Sequence, residues 1–414
     1  MSRIFKSLTK VEDALDRFFT HIRTLPPETV ELEGALGRVL AEDIYSPFDV
    51  PRYNRAAFDG YAVRSEDTFG ASSSNPVTLR VIGSLRPGDT TDITVGKMES
   101  VKIATGAFLP DGTDAVVPLE YSKEIGRGFV EISRQVPPGA NVDRIGSDVK
   151  RGDLVLRQGT YIGPFEMLLL ATLNMTKVPV RRKPRVSIIN TGNEIVELGS
   201  DLSRGKVVNS VKYMLISLLH DMVEINYRGI ARDDEDFLKK KILDSLDDDL
   251  IVTTAGTSVG ERDLVPRVVE DLGGSIIAHG LSIMPGKPTL MAIIGETPLI
   301  GLPGYPVSAA VASFEVLIPT VGRMLGIRGK PTYPKIEAIL TRRIASRPGV
   351  RHYVRVKLDK EENRLLATPV RIGGSGIISS LTEGDGFVIV PEDLEGYEAG
   401  EVVEVLVYKR WLEL

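Results

Sequence analysis

The chain contains no cysteine, which excludes disulfide frameworks, thiolate metal sites and cysteine nucleophiles. Histidine is nearly as scarce. His21, His220, His279 and His352 are the only four, widely scattered and without an i, i+4 ligand pair, a pattern more typical of structural histidines. A metal here is therefore expected to be a hard cation held by carboxylates, such as Mg²⁺. A basic excess is missing too: the formal net charge of −5 lacks the footprint of a nucleic-acid protein, although a local pocket can still be basic. No apolar run reads as membrane-spanning, the strongest being Met167 to Leu173. Residues 1–10 lack the apolar segment of a signal peptide. These absences lead us to expect a soluble, cytoplasmic protein with neither nucleic acid nor membrane as partner.

What is present is an ordinary globular composition spread over 414 residues, more than one hydrophobic core usually organises, so two to four domains are expected. Thr9-Lys10-Val11-Glu12 has the form of a capping box, and Val11, Leu15 and Phe18 repeat at helical spacing behind it. A second short helix fits Ala35 to Leu40. From Phe48 to about Gly146 the texture is β-type, with runs such as Val77–Ile82 and Val101–Ala104 between Gly and Pro, and a helix at Pro164–Asn174 follows.

After Pro184, apolar strand-like runs alternate with amphipathic helices. The runs are Val186–Ile189, Val223–Tyr227, Leu250–Thr253, Ile276–Ala278, Leu290–Ile294 and Leu299–Gly301. The helices are Val211–Met222, Glu235–Leu246, Leu264–Leu272 and Val307–Leu325. This alternation predicts an α/β domain with a doubly wound, largely parallel sheet. Beyond a linker at Arg328–Pro334 the tail is again β-type, with strands at Ile336–Leu340, Tyr353–Leu358, Phe387–Val390 and Val402–Val407, and reads as a small β-barrel or sandwich.

In an open α/β sheet, ligands bind outside the carboxyl ends of the strands. Three loops there carry small and polar residues: INTGNE (Ile189–Glu194), TAGTSVGERD (Thr254–Asp263) and LPGYP (Leu302–Pro306). Their glycines, Gly192 and Gly256 among them, let backbone N–H groups approach an anion. One such loop is explained by a tight βα turn alone; three on one sheet edge favour a binding crevice. None is a Walker A loop or a dinucleotide fingerprint. MPGKP (Met284–Pro288) adds Lys287, stiffly held between Gly and Pro, a setting that can aim an ammonium at an oxyanion. Asp59, Asp148, Glu194 and Asp263 sit beside glycines or turn signals, where carboxylates can hold a divalent cation or simply cap a turn.

The stretch FDVPRYNRAAFDGYAV (Phe48–Val63) resembles the entry motif of the molybdopterin molybdenumtransferase family, which includes the C-terminal region of gephyrin. TGAFLPDGTDAVVPLE (Thr105–Glu120), PPGANVDRIGSDVKRGD (Pro137–Asp153), INTGNE, TAGTSVGERDLV, PGKP and GLPGYPVSA (Gly301–Ala309) follow in the family's order, covering essentially the whole chain. The resemblance implies four domains: a split first domain (1–46 plus 147–180), a β-rich insertion (47–146), the molybdopterin-binding α/β domain (181–328) and a C-terminal β-barrel (329–414). It implies a homodimer, with each cleft shared between the α/β domain of one subunit and the insertion of the other.

The implied reaction inserts molybdate or tungstate into adenylyl-molybdopterin with Mg²⁺-dependent release of AMP, downstream of a molybdopterin adenylyltransferase. Carried over by position, Asp59, Asp148, Glu194 and Asp263 are the expected catalytic carboxylates, with Glu194 and Asp263 on the cation. Thr105, Gly192, Gly256, Ser258, Pro303 and Pro306 are expected to line the cleft, and Lys287, Arg351 and Ser375 to meet phosphate or oxyanion. Five positions depart from the family's pattern: Phe58 for Met, Asp143 (beside Arg144) for Arg, Asn209 for an acidic residue, Met284 for the first lysine of KPGKP and Tyr305 for Asn. Together they remove two cations and one carboxylate from positions expected near the ligand. A paralogue that binds the pterin nucleotide without efficient insertion, and a scaffold protein, are the alternative readings.

Overall fold

The structure, a computed structural model, describes residues 8–203, 205–256, 264–329, 333–362, 364–370 and 374–409. Two compact units divide the chain. The larger comprises Met1–Ala41, Gly159–Met167 and Lys177–Leu414, and the smaller Glu42–Gln158 with Leu168–Thr176.

The larger unit is built on a six-stranded sheet in the order Glu224–Ala231, Arg185–Thr191, Leu250–Thr254, Thr297–Leu302, Leu290–Ile294, Ser275–His279. The first four are parallel; Leu290–Ile294 runs antiparallel to both its neighbours, so five strands share one direction. Both faces are covered, which explains the uninterrupted apolar runs. On the Arg185–Thr191 strand, Val186 and Ile188 enter a core shared with helices α1 (Val11–Phe19), α3 (Ser210–Leu219) and α6 (Pro306–Met324). Ile189, on the opposite face, joins the core under α4 (Glu235–Leu243) and α5 (Leu264–Asp271). From Arg185–Thr191 the chain first adds a strand on one side and then crosses to Leu250–Thr254 on the other. That reversal opens a crevice at the strands' carboxyl ends.

In the C-terminal part five strands close on themselves: Arg351–Glu361, Arg364–Pro369, Lys335–Leu340, Val402–Val407 and Gly386–Val390, the last pairing back onto the first. Val354, Val356, Val388 and Val405 fill this barrel. The expected barrel is thus present, with an unforeseen strand at Arg364–Pro369. Tyr353 and Phe387 face outward and join the α/β core instead. A two-residue strand, Ile283–Met284, leaves the α/β part and pairs in parallel with the start of the first barrel strand, Met284 opposite His352.

The smaller unit holds a curled six-stranded sheet in the order Ala115–Pro118, Gly60–Val63, Glu99–Ile103, Val77–Leu85, Phe129–Ile132, Ser122–Gly126. Gly60 is required at the start of its second strand, because a Cβ there would stand 2.0 Å from the Val117 carbonyl oxygen.

Three local expectations are corrected. Thr9 caps nothing: it pairs through its backbone with Gly280 and Ser282, while Lys10 takes the N-cap position without a side-chain bond. Ala35–Leu40 is not helical. A 3-10 turn at Leu32–Gly34 precedes it, Gly37 has φ +76°, and Val39 and Leu40 bridge to Tyr161 and Val180. Finally, α6 is long and apolar enough by composition to cross a bilayer, which the sequence reading did not find. It is instead mostly buried as a core helix and relaxes into a π turn at Ser313–Leu317.

Candidate functional site

A cleft of about 1300 Å³ lies between the carboxyl edge of the α/β sheet and the C-terminal barrel, all of it within the larger unit. Its floor is made by strand ends: Asn190 and Thr191 from one central strand, Thr254 from the next. These polar side chains are buried, so each must find partners inside the protein. Asn190 Nδ2 donates to Thr254 Oγ1 at 2.6 Å, and Thr191 Oγ1 donates to the Thr254 carbonyl at 3.0 Å. Asn209, at the N-cap of α3, donates through Nδ2 to Asn190 Oδ1 at 2.9 Å and to Tyr227 Oη at 3.0 Å.

Behind this floor Tyr227 donates its hydroxyl proton to Glu197, which also accepts from Lys212 Nζ at 3.0 Å. Burial, then the Glu197 carboxylate, pushes the Tyr227 phenol well above its ordinary range, so it remains a donor. Burial works against charge on Glu197, but its bonds to Tyr227 and Lys212 prevail and hold its pKa below the usual carboxylate value.

The charge pattern of the lining is uneven. Glu194 is the single carboxylate among the described lining residues, whereas Lys287, Arg347 and Arg355 supply three cations. Gly192, at φ +137°, makes room for that carboxylate: a Cβ there would meet both Glu194 carboxylate oxygens at 2.9 Å. Arg355 is 4% exposed and its Nε donates to Ser380 Oγ at 3.3 Å. Burial lowers its basicity, yet a guanidinium remains charged throughout the working pH range. His352 also lines the cleft. Burial first, then the Arg355 charge, depresses the imidazole pKa to about 4, so the ring is neutral near pH 7.

Of the residues singled out in the sequence, Glu194, Gly256, Lys287, Pro303, Pro306 and Ser375 come together in this lining, as do Asn209, Met284 and Tyr305. Asp263 and Ser258 lie outside the described residues. Asp59, Thr105 and Asp148 belong to the smaller unit. There Asp59 Oδ1 accepts from the Thr105 N–H at 2.7 Å and from its hydroxyl at 2.8 Å, which lowers the Asp59 pKa; Asp148 is exposed. Asp143 of the same unit pairs with Arg55 at 3.0 Å.

Arg351 is a correction. It does not line the cleft, because its guanidinium is held by Glu12 at 2.7 Å, Glu392 at 3.0 Å and Glu315 at 3.5 Å. Arg355, Arg347 and His352 are the cleft residues that sequence reasoning missed.

Comparisons with known proteins bear on the family. Residues 9–174 match the MoeA N-terminal region (domain I and II), 187–323 a probable molybdopterin binding domain, and 337–408 the MoeA C-terminal region (domain IV). A putative molybdopterin biosynthesis protein of Methanocaldococcus jannaschii is 43% identical over 390 residues, covering 92% of each chain. The molybdopterin molybdenumtransferase of Bacillus subtilis is 34% identical over 407 residues, covering 96% of this chain and 94% of its own. Among solved structures, a molybdopterin biosynthesis MoeA protein from Pyrococcus horikoshii OT3 superposes with a TM-score of 0.84 at 33% identity, over 97% of this chain and 100% of that one. The chain therefore belongs to the MoeA family of molybdopterin molybdenumtransferases.

Proposed function

We infer that this chain is a molybdopterin molybdenumtransferase, a transferase of molybdenum-cofactor biosynthesis that places the metal of molybdate, or of its tungstate analogue, into adenylyl-molybdopterin with release of AMP. The observation that carries this reading is the charge pattern of the cleft: one carboxylate, Glu194, in a described lining that also holds Lys287, Arg347 and Arg355. A nucleotide-bearing pterin brings phosphates and the second substrate is a dianion, so both need cationic and N–H donors in a partly dehydrated cleft. The glycine-containing strand-end loops provide close backbone approach, and the Asn190–Asn209–Thr254 network fixes the floor beneath them.

The reading includes a Mg²⁺ ion. Among the described residues no three His, Asp or Glu side chains converge into a cage. That fits a cation held as Mg²⁺ usually is, by one or two carboxylates, water and substrate phosphates. Glu194 is the residue that would hold it, and when bound it would neutralise charge developing on the cleaved phosphoanhydride. A binding-only paralogue draws support from Met284, but three cations remain in the cleft without that lysine.

Glu194→Gln tests the assignment. Loss of the carboxylate is expected to raise the Mg²⁺ concentration giving half-maximal AMP release by about tenfold or more, since a charge-assisted contact is worth roughly 1.5–3 kcal/mol. An unchanged Mg²⁺ dependence overturns it.

A further inference from the structure

Met284 and His352 are directly paired across the two-residue bridge that joins the α/β part to the barrel. Residues paired in register on neighbouring strands project toward the same face, and both side chains line the cleft. Met284 stands where the family's motif carries the first of two lysines, so its thioether brings no charge to the lining. Its neighbour brings an imidazole that is 7% exposed, with Nδ1 sealed from solvent and without a hydrogen-bond partner among the described residues. A sealed, unpartnered nitrogen is tolerated better as a lone pair than as an N–H group, whose proton would be left without an acceptor. The proton therefore belongs on Nε2, leaving that nitrogen a neutral donor.

We propose that His352 is an oxyanion-contacting residue of this chain, its Nε2–H serving the bound molybdate or tungstate in place of the ammonium absent at position 284. The inference rests on the transferase reading and deepens it. Arg355, three residues along the same strand and also in the lining, supplies the fixed charge. It also helps to keep the imidazole neutral, since a second cation beside the guanidinium is unfavourable. Anion capture in this protein thus combines one buried guanidinium with a neutral imidazole donor, and the Met284–His352 pair acts as a unit.

The experiment has two arms on the full-length protein. In the first, AMP release from adenylyl-molybdopterin is followed against molybdate and against tungstate. His352→Leu is expected to raise the half-saturating oxyanion concentration by about tenfold to a hundredfold, the usual effect of losing a hydrogen bond to a charged group. His352→Gln, which keeps an N–H donor, should lose less. Adding Met284→Lys to His352→Leu should recover most of the loss. The Kd for the pterin nucleotide, measured separately, should move by less than the oxyanion dependence does.

In the second arm, ¹⁵N-histidine spectra of the parent protein are recorded with tungstate titrated in. The His352 signal, assigned by its loss in His352→Gln, should show the neutral Nε2–H tautomer and shift at Nε2 on saturation. A folded His352→Leu with the parent's oxyanion dependence, or an Nε2 signal indifferent to saturating tungstate, overturns the proposal. Should His352→Leu not fold, the parent spectra decide. A parent that releases no AMP at any oxyanion concentration contradicts the transferase reading, and the tungstate titration then still judges His352 separately.

Discussion

Arg351 and Arg355 leave the same face of one barrel strand, yet do different work because four residues of strand separate them by about 13 Å. At the strand's start Arg351 meets carboxylates from three elements: Glu12 of α1, Glu315 of the π turn in α6, and Glu392 beyond the Gly386–Val390 strand. Further along, Arg355 reaches the cleft. Strand alternation tells which face a residue takes but not what stands opposite it, so the sequence singled out an arginine that the structure leaves outside the cleft lining. Arg351→Gln would leave three carboxylates converging around a side chain that is 20% exposed. The expected cost is roughly 2–4 kcal/mol, slightly under the figure for a fully buried pair because some solvent reaches the group. A urea titration measures it, and an unchanged midpoint contradicts the role. Adding Glu315→Gln should restore part of the loss by removing one of the three like charges brought together there.

At the scale of elements, the strands and helices of the α/β part were legible because both sheet faces are buried, giving the apolar runs no competing interpretation. The failures share a cause. Thr9 is claimed by Gly280 and Ser282, some 270 residues away, and Leu40 by Val180. No local pattern records such partners. The same holds for the staple beneath the sheet's amino edge. There buried Asp248 accepts from Ser187 Oγ at 2.5 Å, Asn226 Nδ2 at 2.8 Å and Arg228 at 2.8 Å, tying two strands to the turn that leads into Leu250–Thr254. Burial opposes ionisation of Asp248, but these donors prevail, and its pKa falls below the ordinary 3.8. A depressed folded value means that the stabilisation is complete above 3.8 and disappears as pH falls through the lower value. Asp248→Asn, which sets an amide donor against other donors, should cost roughly 2–3 kcal/mol near neutral pH. Its unfolding free energy should also vary less with pH in the acid range than the parent's. Parallel pH profiles for the two proteins rule out the staple as a source of acid sensitivity.

For the whole molecule, the fold class could be read from composition and motif order, but the surfaces left free could not. Helix α2 (Pro164–Thr172) was anticipated from its proline start and apolar run, a composition that ordinarily buries a helix on several sides. Instead only Leu170 is fully buried, while Phe165 and Leu168 are 82% and 66% exposed. Spaced i, i+3, they share one face. The family resemblance implies a homodimer, and such a dimer would find exposed apolar surface on this face. In an isologous dimer each contributes twice. Four such side chains, at about 1.5–3 kcal/mol each when fully buried, give on the order of 6–12 kcal/mol before the cost of association. That is comparable to the association cost itself, so replacing both residues with charged ones should abolish the dimer rather than weaken it slightly. Sedimentation velocity at micromolar protein should find the parent dimeric and the Phe165→Glu, Leu168→Glu double variant monomeric with an unchanged circular dichroism spectrum. Because the resemblance also implies a cleft shared between subunits, the monomer should lose AMP release. A charged variant that still sediments as a dimer places the interface elsewhere, and a monomer that still turns over contradicts the shared cleft.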